Sequence, residues 1–149
     1  MNVLVLHGPN LNLLGEREPE LYGRTTLAEL DRRLVEEGAR LGLTVRCFQS
    51  NHEGALIDAI HEARRWMQAI VINAGAYTHT SYALRDAIAA VRVPAIEVHL
   101  TDIEKREPWR RNSVLADVCQ ARFMGKGVDS YLEALVHVAK ALRQDGRAS

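Results

Sequence analysis

A carboxylate and an imidazole lie two residues apart in the run Glu97-Val98-His99-Leu100. Side chains alternate along a strand, so Glu97 and His99 are expected to point to the same face. A carboxylate in that position fixes the tautomer of the imidazole and favours its protonated form, which prepares a general acid. The other interpretation is a hydrogen-bonded core pair, but burying two ionisable groups is costly unless they are used. The pattern therefore favours a catalytic pair.

A tyrosine with an arginine on either side is a candidate general base. Tyr22 lies in a long loop that is punctuated by glycine and proline, between Arg17 and Arg24. Ionising a free phenol at neutral pH costs about 4 kcal/mol, and neighbouring cations reduce that cost. An ordinary loop anchored by one half-buried tyrosine explains the pattern equally well. The residues by themselves leave both interpretations open.

Further polar residues are candidates for binding an oxygen-rich substrate. Asn10 offers an amide to a developing oxyanion, although asparagine is also common in turns. Residues 73–81 place an amide, the His79 imidazole and hydroxyls before a helix N-terminus, which suits anion binding or helix capping. A basic cluster that is typical of a surface, but from which one inward-turned guanidinium can bind a hydroxyl or a carboxylate, consists of Arg106, Arg110 and Arg111. Asp86, on the following helix, is consistent with a solvated charge.

Several other chemistries are disfavoured. The sequence has no Gly-x-Ser-x-Gly elbow, no glycine-rich phosphate loop ending in lysine and no His-x-x-x-His pair on a helix. A metal site built from His79, Glu97 and His99 has a low prior, so we predict no metal. No lysine lies in the polar segments that follow the strands, which argues against Schiff-base catalysis.

Composition limits the partners and the compartment. Lys+Arg and Asp+Glu both number 19, so no global charge favours nucleic acid or an anionic membrane. Cys47 and Cys119 lie in apolar runs without a Cys-x-x-Cys pattern, which indicates buried free thiols in a reducing compartment. No run has the length of a membrane span, and the N-terminus does not have the pattern of a signal peptide. We expect a soluble cytoplasmic protein with neither nucleic acid nor membrane as partner.

The apolar pattern predicts alternating strands and helices. The expected strands are 3–6, 43–48, 69–72, 95–100 and 118–124. The expected helices carry apolar stripes over 27–41, 56–63, 84–91 and 128–142. Thr26 with Glu29, and Ser50 with Glu53, form capping boxes for the first two helices. A further helical piece is expected within 107–115, and residues 143–149 are expected to be a frayed tail.

These elements predict one α/β domain over residues 1–149, with a doubly wound five-stranded parallel sheet and helices on both faces. The common strand order is 2-1-3-4-5, and ligands bind beyond the carboxyl ends of the strands near the switch point. The polar segments after strands one, three and four should therefore converge on one cleft. The tripeptide Arg-Glu-Pro occurs at Arg17 and at Arg106, and its brevity indicates coincidence.

Four groups of motifs, in the same order over nearly the whole chain, resemble the type II 3-dehydroquinate dehydratases. The first group is HGPNLNLLG at 7–15 with REP at 17–19 and YG at 22–23, and the others are QSNHEG at 49–54, NAGAYTHTS at 73–81 and EVHL at 97–100. The resemblance implies a flavodoxin-like fold. It also implies the cofactor-free anti elimination of water from 3-dehydroquinate, through an enolate, to give 3-dehydroshikimate in the shikimate pathway of aromatic amino acid biosynthesis.

The resemblance also implies catalytic roles. Tyr22 matches the base that removes the C2 proton, and Arg17 matches an arginine of the lid beside it. Asn10 would hold the water that stabilises the enolate. His99, oriented by Glu97, would protonate the departing C1 hydroxyl.

The remaining matched positions concern binding and assembly. Asn73, His79 and Arg110 match substrate-binding residues, and the backbone of Leu100 and Thr101 would take the substrate carboxylate. Asp86 matches a residue that reaches the site of a neighbouring subunit, in a family that forms trimers packing into dodecamers. The resemblance makes residues 15–24 a lid whose order depends on ligand.

The chain departs from the family pattern near the site. Thr101-Asp102 replaces a common Ser-Asn, and Arg111-Asn112-Ser113 replaces a common His-His-Ser, which places the neighbours of Arg110 in question. Two rivals are kept. One is a non-catalytic flavodoxin-like module that binds a mononucleotide or signals to a partner, and the other is dehydration through a Schiff base.

Overall fold

The structure, a computed structural model, describes residues 1–146 of the 149-residue chain. It contains a five-stranded sheet in the order β2-β1-β3-β4-β5, and each neighbouring pair is parallel, as the sequence predicts. The strands are β1 (Asn2–His7), β2 (Thr44–Gln49), β3 (Ala69–Asn73), β4 (Ala95–His99) and β5 (Ala121–Met124). Because all strands run the same way, their carboxyl ends lie at one edge of the sheet.

Helices cover both faces of the sheet. They are α1 (Pro19–Tyr22), α2 (Leu27–Arg40), α3 (Glu53–Ala63), α4 (Tyr82–Val91) and α5 (Val128–Gln144). The helices α2 and α5 pack together on one face, and α3 and α4 pack together on the other. Val3 and Val5 of β1 belong to the first core, whereas Leu4 and Leu6 belong to the second. The continuous apolar run of β1 thus reflects a strand buried on both faces.

The N-cap hydrogen bond of one predicted capping box forms, and the other capping box is wrong. The Thr26 hydroxyl accepts a hydrogen bond from the Glu29 backbone N–H at 3.2 Å, as expected for the N-cap of α2. The N-cap of α3 is His52, and the Ser50 hydroxyl accepts from the His52 N–H at 2.9 Å. The Glu53 carboxylate accepts from the Ser81 hydroxyl instead of turning back to its own helix. Glu53 therefore links the N-termini of α3 and α4.

Some element boundaries differ from the sequence prediction. The strand β5 begins at Ala121 rather than residue 118, because Ala116–Val118 forms a 3-10 turn. The helical piece expected in 107–115 is a 3-10 turn at Pro108–Arg110. The helix α5 continues to Gln144, so residues 143 and 144 of the expected frayed tail are helical. Residues 147–149 of that tail lie outside the described residues.

The long loop after β1 contains short helical turns. A 3-10 turn covers Leu11–Leu13, and α1 begins with a proline, whose fixed φ suits the first position of a helix. Buried Leu11 and Leu14 anchor the start of the loop in the core. Within residues 1–146, no helix combines the length and the hydropathy that crossing a membrane requires.

Candidate active site

A cavity of about 140 Å³ opens at the carboxyl edge of the sheet, where β1, β3 and β4 end. Among the residues whose roles were predicted from the sequence, Arg24, Glu97 and Asp86 do not line it, whereas nine others do. They are Asn10, Arg17, Tyr22, Asn73, His79, His99, Leu100, Thr101 and Arg110. Pockets for drug-sized ligands start at about 300 Å³, so this cavity suits a smaller molecule. The three polar segments thus converge as the strand order requires.

Glu97 lies directly behind His99. The Glu97 side chain is fully buried, and its Oε2 lies 2.5 Å from Nε2 of His99. Its second oxygen, Oε1, accepts a hydrogen bond from the Ser113 hydroxyl at 2.9 Å. With Nε2 directed to Glu97, the ring is held with its other edge available to the cavity. The predicted same-face pair is present, and Ser113 is a third member that the sequence did not reveal.

Tyr22 lies between two guanidinium groups. The Cζ atom of Arg17 is 4.7 Å from the centre of the Tyr22 ring, and that of Arg106 is 5.3 Å from it. Arg106 Nη1 also donates a hydrogen bond to the Tyr22 hydroxyl oxygen at 2.8 Å. Arg24, expected to be the second cation, is exposed and does not line the cavity. Sequence proximity misled here, because α1 ends at Tyr22 and the chain turns at Gly23, whose φ is 88°, before it reaches Arg24.

Arg106, a member of the basic cluster with Arg110 and Arg111, is the main candidate to which the sequence assigned no role at Tyr22. It follows β4, lines the cavity and has a side chain that is only 13% exposed. Its Nη1 also lies 3.4 Å from the Thr101 hydroxyl. A signal for it was present in the repeated Arg-Glu-Pro, because both arginines of that repeat contact Tyr22 and both prolines begin a short helical turn.

His79 is held by the segment that follows Arg110. Its Nδ1 lies 2.8 Å from the backbone oxygen of Asn112, so Nδ1 carries the proton and Nε2 is an acceptor in the neutral ring. Burial lowers the pKa of His79 below its ordinary value, against the opposing effect of the Asn112 hydrogen bond. The ring also meets Trp109 edge-on at 5.5 Å. Because Asn112 acts through its backbone, replacing the family's histidine there does not remove this contact.

Arg110 is fixed by contacts on its outer side. Its Nε donates to the Glu107 carboxylate at 2.5 Å, and its Cζ lies 4.1 Å from the centre of the Trp109 ring. The hydrogen bond from Arg110 lowers the pKa of Glu107. Because Nε is engaged by Glu107, the terminal nitrogens of Arg110 remain for the cavity. Arg17, Arg106 and Arg110 therefore give the cavity a positive lining.

A close contact between two loops places Asn10 and Asn73. The Gly8 N–H donates to the Asn73 backbone oxygen at 2.7 Å, and a Cβ at Gly8 would lie 2.3 Å from the Ala74 oxygen. Asn10 follows in a left-handed conformation with φ of 70°, which asparagine tolerates well, and its N–H donates to Asn51 Oδ1 at 2.9 Å. The glycine permits the approach that brings both amides to the cavity.

Asp86 does not lie at the cavity. It is exposed on α4, whose N-terminus is capped by the Ser81 hydroxyl accepting from the Leu84 N–H at 3.0 Å. Ser81 is therefore the N-cap of α4. Within the described residues, nothing places Asp86 beside Tyr22 or His99 of the same chain.

Comparisons with known proteins agree with one another. The family model described as Dehydroquinase class II matches residues 1–139. A 3-dehydroquinate dehydratase from Gloeothece citriformis is 54% identical over 143 residues, which cover 96% of this chain and 94% of that protein. One from Nostoc sp. is 58% identical over 135 residues, covering 91% and 92%. A crystal structure of a type II dehydroquinase from Butyrivibrio crossotus has a TM-score of 0.90 and 44% identity, and covers 94% of this chain and 97% of that one.

Proposed function

The chain belongs to the dehydroquinase class II family, and from that premise we propose how its cavity removes water from 3-dehydroquinate. The protein is a 3-dehydroquinate dehydratase, a hydro-lyase that forms 3-dehydroshikimate. One observation carries the mechanistic proposal. Tyr22 and His99 line the same small cavity. The phenol of Tyr22 contacts two arginines, and the imidazole of His99 is hydrogen-bonded to the buried Glu97 carboxylate.

Tyr22 is the proposed base that removes the C2 proton. Arg106 donates a hydrogen bond to the Tyr22 oxygen and the Arg17 guanidinium lies over the ring, so two cations stand beside the group that would take the proton. Removal of the proton leaves an enolate, and Asn10 is placed to hold a water molecule against its oxygen.

His99 is the proposed acid that protonates the C1 hydroxyl as it leaves. Glu97 hydrogen-bonds one ring nitrogen, so the other nitrogen is left to deliver a proton into the cavity. The hydrogen bond from Ser113 fixes the Glu97 carboxylate on its far side. Base and acid then act on separate substrate atoms, with no cofactor or metal supplying a step.

The substrate carboxylate and hydroxyls meet the remaining residues that line the cavity. The backbone N–H groups at Leu100 and Thr101, which directly follow β4, are the proposed carboxylate site. Arg110 supplies positive charge, and His79 Nε2 accepts a hydrogen bond from a substrate hydroxyl. Asn73 supplies an amide at the end of β3.

Assembly is part of the proposal. Asp86 is exposed on α4 and does not line its own cavity, so a role at the site requires a neighbouring subunit. We propose trimers that pack into dodecamers, with Asp86 contributed across subunits, and one catalytic domain over residues 1–149. Cys47 and Cys119 are free thiols, which suits the proposed cytoplasmic location and a role in the shikimate pathway.

The rival functions are less well supported. The family match and the named relatives do not favour a non-catalytic flavodoxin-like module. The cavity is also below the usual size for a larger ligand such as a flavin nucleotide. Of the described residues that line the cavity, none is a lysine, as dehydration through a Schiff base would require.

The test is a direct assay of dehydration. Purified protein in a chelator-containing buffer without added cofactor is mixed with 3-dehydroquinate, and the ultraviolet absorbance of the conjugated enone carboxylate is followed. We expect the absorbance to rise, and to be unaffected by borohydride treatment in the presence of substrate. Loss of activity with borohydride would instead support a Schiff base.

Two tyrosine variants of the protein, one at the cavity and one as its control, are compared in this assay. Tyr22→Phe removes only the titratable oxygen, so we expect turnover to be abolished while the thermal unfolding midpoint stays near the wild-type value. Tyr82→Phe changes a tyrosine that is 66% exposed and lies outside the cavity, and should keep the wild-type rate. A near-normal kcat for Tyr22→Phe would refute Tyr22 as the base.

A further inference from the structure

A chain of buried polar side chains runs beneath the cavity, and only one of its members has a role in the reaction described above. His7 and Tyr131 are completely buried, and Asp31 on α2 has a side chain that is 33% exposed. Asn73, which lines the cavity, pairs with His7 in the register of β1 and β3. Buried polar groups need partners, so their contacts can be followed from one end to the other.

The contacts are continuous from α2 to the cavity. His7 Nε2 lies 2.7 Å from Asp31 Oδ1, and His7 Nδ1 lies 2.9 Å from the Tyr131 hydroxyl oxygen. The Asn73 side chain hydrogen-bonds the same hydroxyl. Burial raises the pKa of Tyr131 above its ordinary value, although the Asn73 hydrogen bond opposes that shift. Tyr131 therefore keeps its proton at neutral pH.

The geometry at Asp31 is that of a hydrogen bond rather than of a metal site. His7, Asp31 and Cys47 offer three ligand atoms within 4.8 Å of one another. Zinc ligands at about 2.0–2.2 Å in a tetrahedron stand roughly 3.3 Å or more apart. The His7 to Asp31 distance of 2.7 Å is shorter than that and matches a charge-assisted hydrogen bond. Cys47 also hydrogen-bonds Asp31, and burial raises the pKa of its thiol.

The proton positions follow from the available acceptors. The Asn73 amide donates to the Tyr131 oxygen, so the Tyr131 O–H must donate elsewhere, and His7 Nδ1 is the acceptor in contact. His7 then carries its proton on Nε2 and donates to the Asp31 carboxylate. Each group in the chain therefore donates toward Asp31, and the direction is set by the one carboxylate at its end.

This direction fixes the orientation of the Asn73 amide. Asn73 Oδ1 accepts from the Gly75 N–H at 3.2 Å, and one N–H of Nδ2 is engaged by Tyr131. The second N–H remains for the cavity. We propose that Tyr131, His7 and Asp31 are positioning residues that hold the Asn73 amide with an N–H toward the substrate, so that the site selects an acceptor oxygen there. This inference rests on the proposed function.

A double-mutant cycle on KM and kcat tests the proposal. Tyr131→Phe removes the acceptor that orients Asn73, and losing one such hydrogen bond should raise KM about three- to tenfold with a smaller change in kcat. Asn73→Ala should also raise KM. In the Asn73→Ala background, Tyr131→Phe should have no further effect on KM, because the amide that it orients is absent. A purely structural role of Tyr131 would give effects that add.

A second variant tests the chain of polar contacts at its exposed end, which is Asp31. Asp31→Ala removes the carboxylate that sets the direction, without changing the buried tyrosine, and should raise KM in the wild-type background but not in the Asn73→Ala background. Tyr82→Phe, on the surface of α4, should leave KM unchanged. If both Tyr131→Phe and Asp31→Ala leave KM unaltered, or if their effects add to that of Asn73→Ala, the positioning role is overturned. A wild-type protein that does not dehydrate 3-dehydroquinate would instead refute the proposed function.

Discussion

At Tyr22, the positive charges that surround one side chain come from distant parts of the sequence. Arg17 comes from the same loop, whereas Arg106 follows β4 and is 84 residues away along the chain. Of these two arginines, only Arg106 makes a hydrogen bond to the Tyr22 oxygen, the proposed proton acceptor, at 2.8 Å. A hydrogen bond that involves a charged group contributes about 1.5–3 kcal/mol. Arg106 is therefore expected to matter for the chemical step as much as the lid arginine does.

Replacing Arg106 and Arg24 one at a time distinguishes the cation that the structure brings to Tyr22 from the cation that the sequence predicted there. Arg106→Gln removes the positive charge beside the Tyr22 oxygen and should lower kcat about 10- to 100-fold, in line with the loss of one charge-assisted hydrogen bond. Arg24→Gln is the matched control, because Arg24 is exposed outside the cavity, and should leave kcat unchanged. Steady-state kinetics on both variants checks this. Equal losses would mean that both arginines act on the base.

The pH dependence of substrate affinity should carry the signature of His79. Its pKa is lowered by burial, so the neutral ring persists to more acidic pH than the ordinary value of about 6.5. We expect KM to stay constant as the pH falls through 6.5. KM should rise only in more acidic solution, below the lowered pKa of His79, where Nε2 gains a proton and ceases to be an acceptor.

His79→Gln should flatten this acid rise in KM. His137→Gln, which lies on α5 outside the cavity, should keep the wild-type profile. Profiles of KM from pH 5 to 8 make the comparison. An unchanged acid rise in His79→Gln would assign the titration to another group.

Among the elements, those with a strong local pattern were predictable and those defined by tertiary contacts were not. The apolar run of β1 and the stripe and cap of α2 are local properties, and both lie within a few residues of the predicted positions. Ser50 and Glu53 have the residue types of a capping box, but Glu53 bonds to Ser81 of another helix. In the same way, alternation placed Glu97 beside His99, whereas Arg106 reaches Tyr22 through a fold-level contact that no local period encodes.

The contact between the loops after β1 and β3 gives a stability prediction. Gly8→Ala would place a methyl group 2.3 Å from the Ala74 oxygen, and overpacking of this kind costs about 1–3 kcal/mol of unfolding free energy. Gly54→Ala is the control, because a Cβ on that α3 residue meets nothing within 4 Å and alanine favours helix.

Chemical denaturation of the two glycine variants gives the comparison. Gly8→Ala should unfold at lower denaturant concentration than the wild type, and Gly54→Ala at the same or higher concentration. The Gly8 variant should also lose activity, since the contact places Asn10 and Asn73. A fully stable Gly8→Ala protein would show that the two loops can separate without cost.

For the molecule as a whole, acidic and basic residues are equal in number but unevenly distributed over the structure. The chain has equal numbers of acidic and basic residues, yet the cavity is lined by three arginines and no carboxylate, whereas Asp86 stands exposed on α4. An acidic residue exposed on one subunit and a positive cavity on the next are electrostatically complementary. This complementarity supports the proposal that assembly completes the site.

Asp86→Ala should therefore affect both binding and assembly. We expect a raised KM, a smaller assembly in sedimentation, or both, because a negative group that faces a neighbouring arginine-lined cavity would be lost. Asp58→Ala, an exposed residue on α3, is the matched control and should change neither. A wild-type protein that is fully active as a monomer would exclude a role for Asp86 across subunits.

The hydrogen bond between Tyr22 and Arg106 joins two segments that are far apart along the chain. Tyr22 belongs to residues 15–24, the lid of the proposed mechanism, whereas Arg106 belongs to the segment that follows β4. Opening such a lid would separate the phenol from this cation, and closing it would bring the two together. The proposed base and its cation would then be assembled only over an enclosed substrate, so an open site filled with water would lack the complete pair.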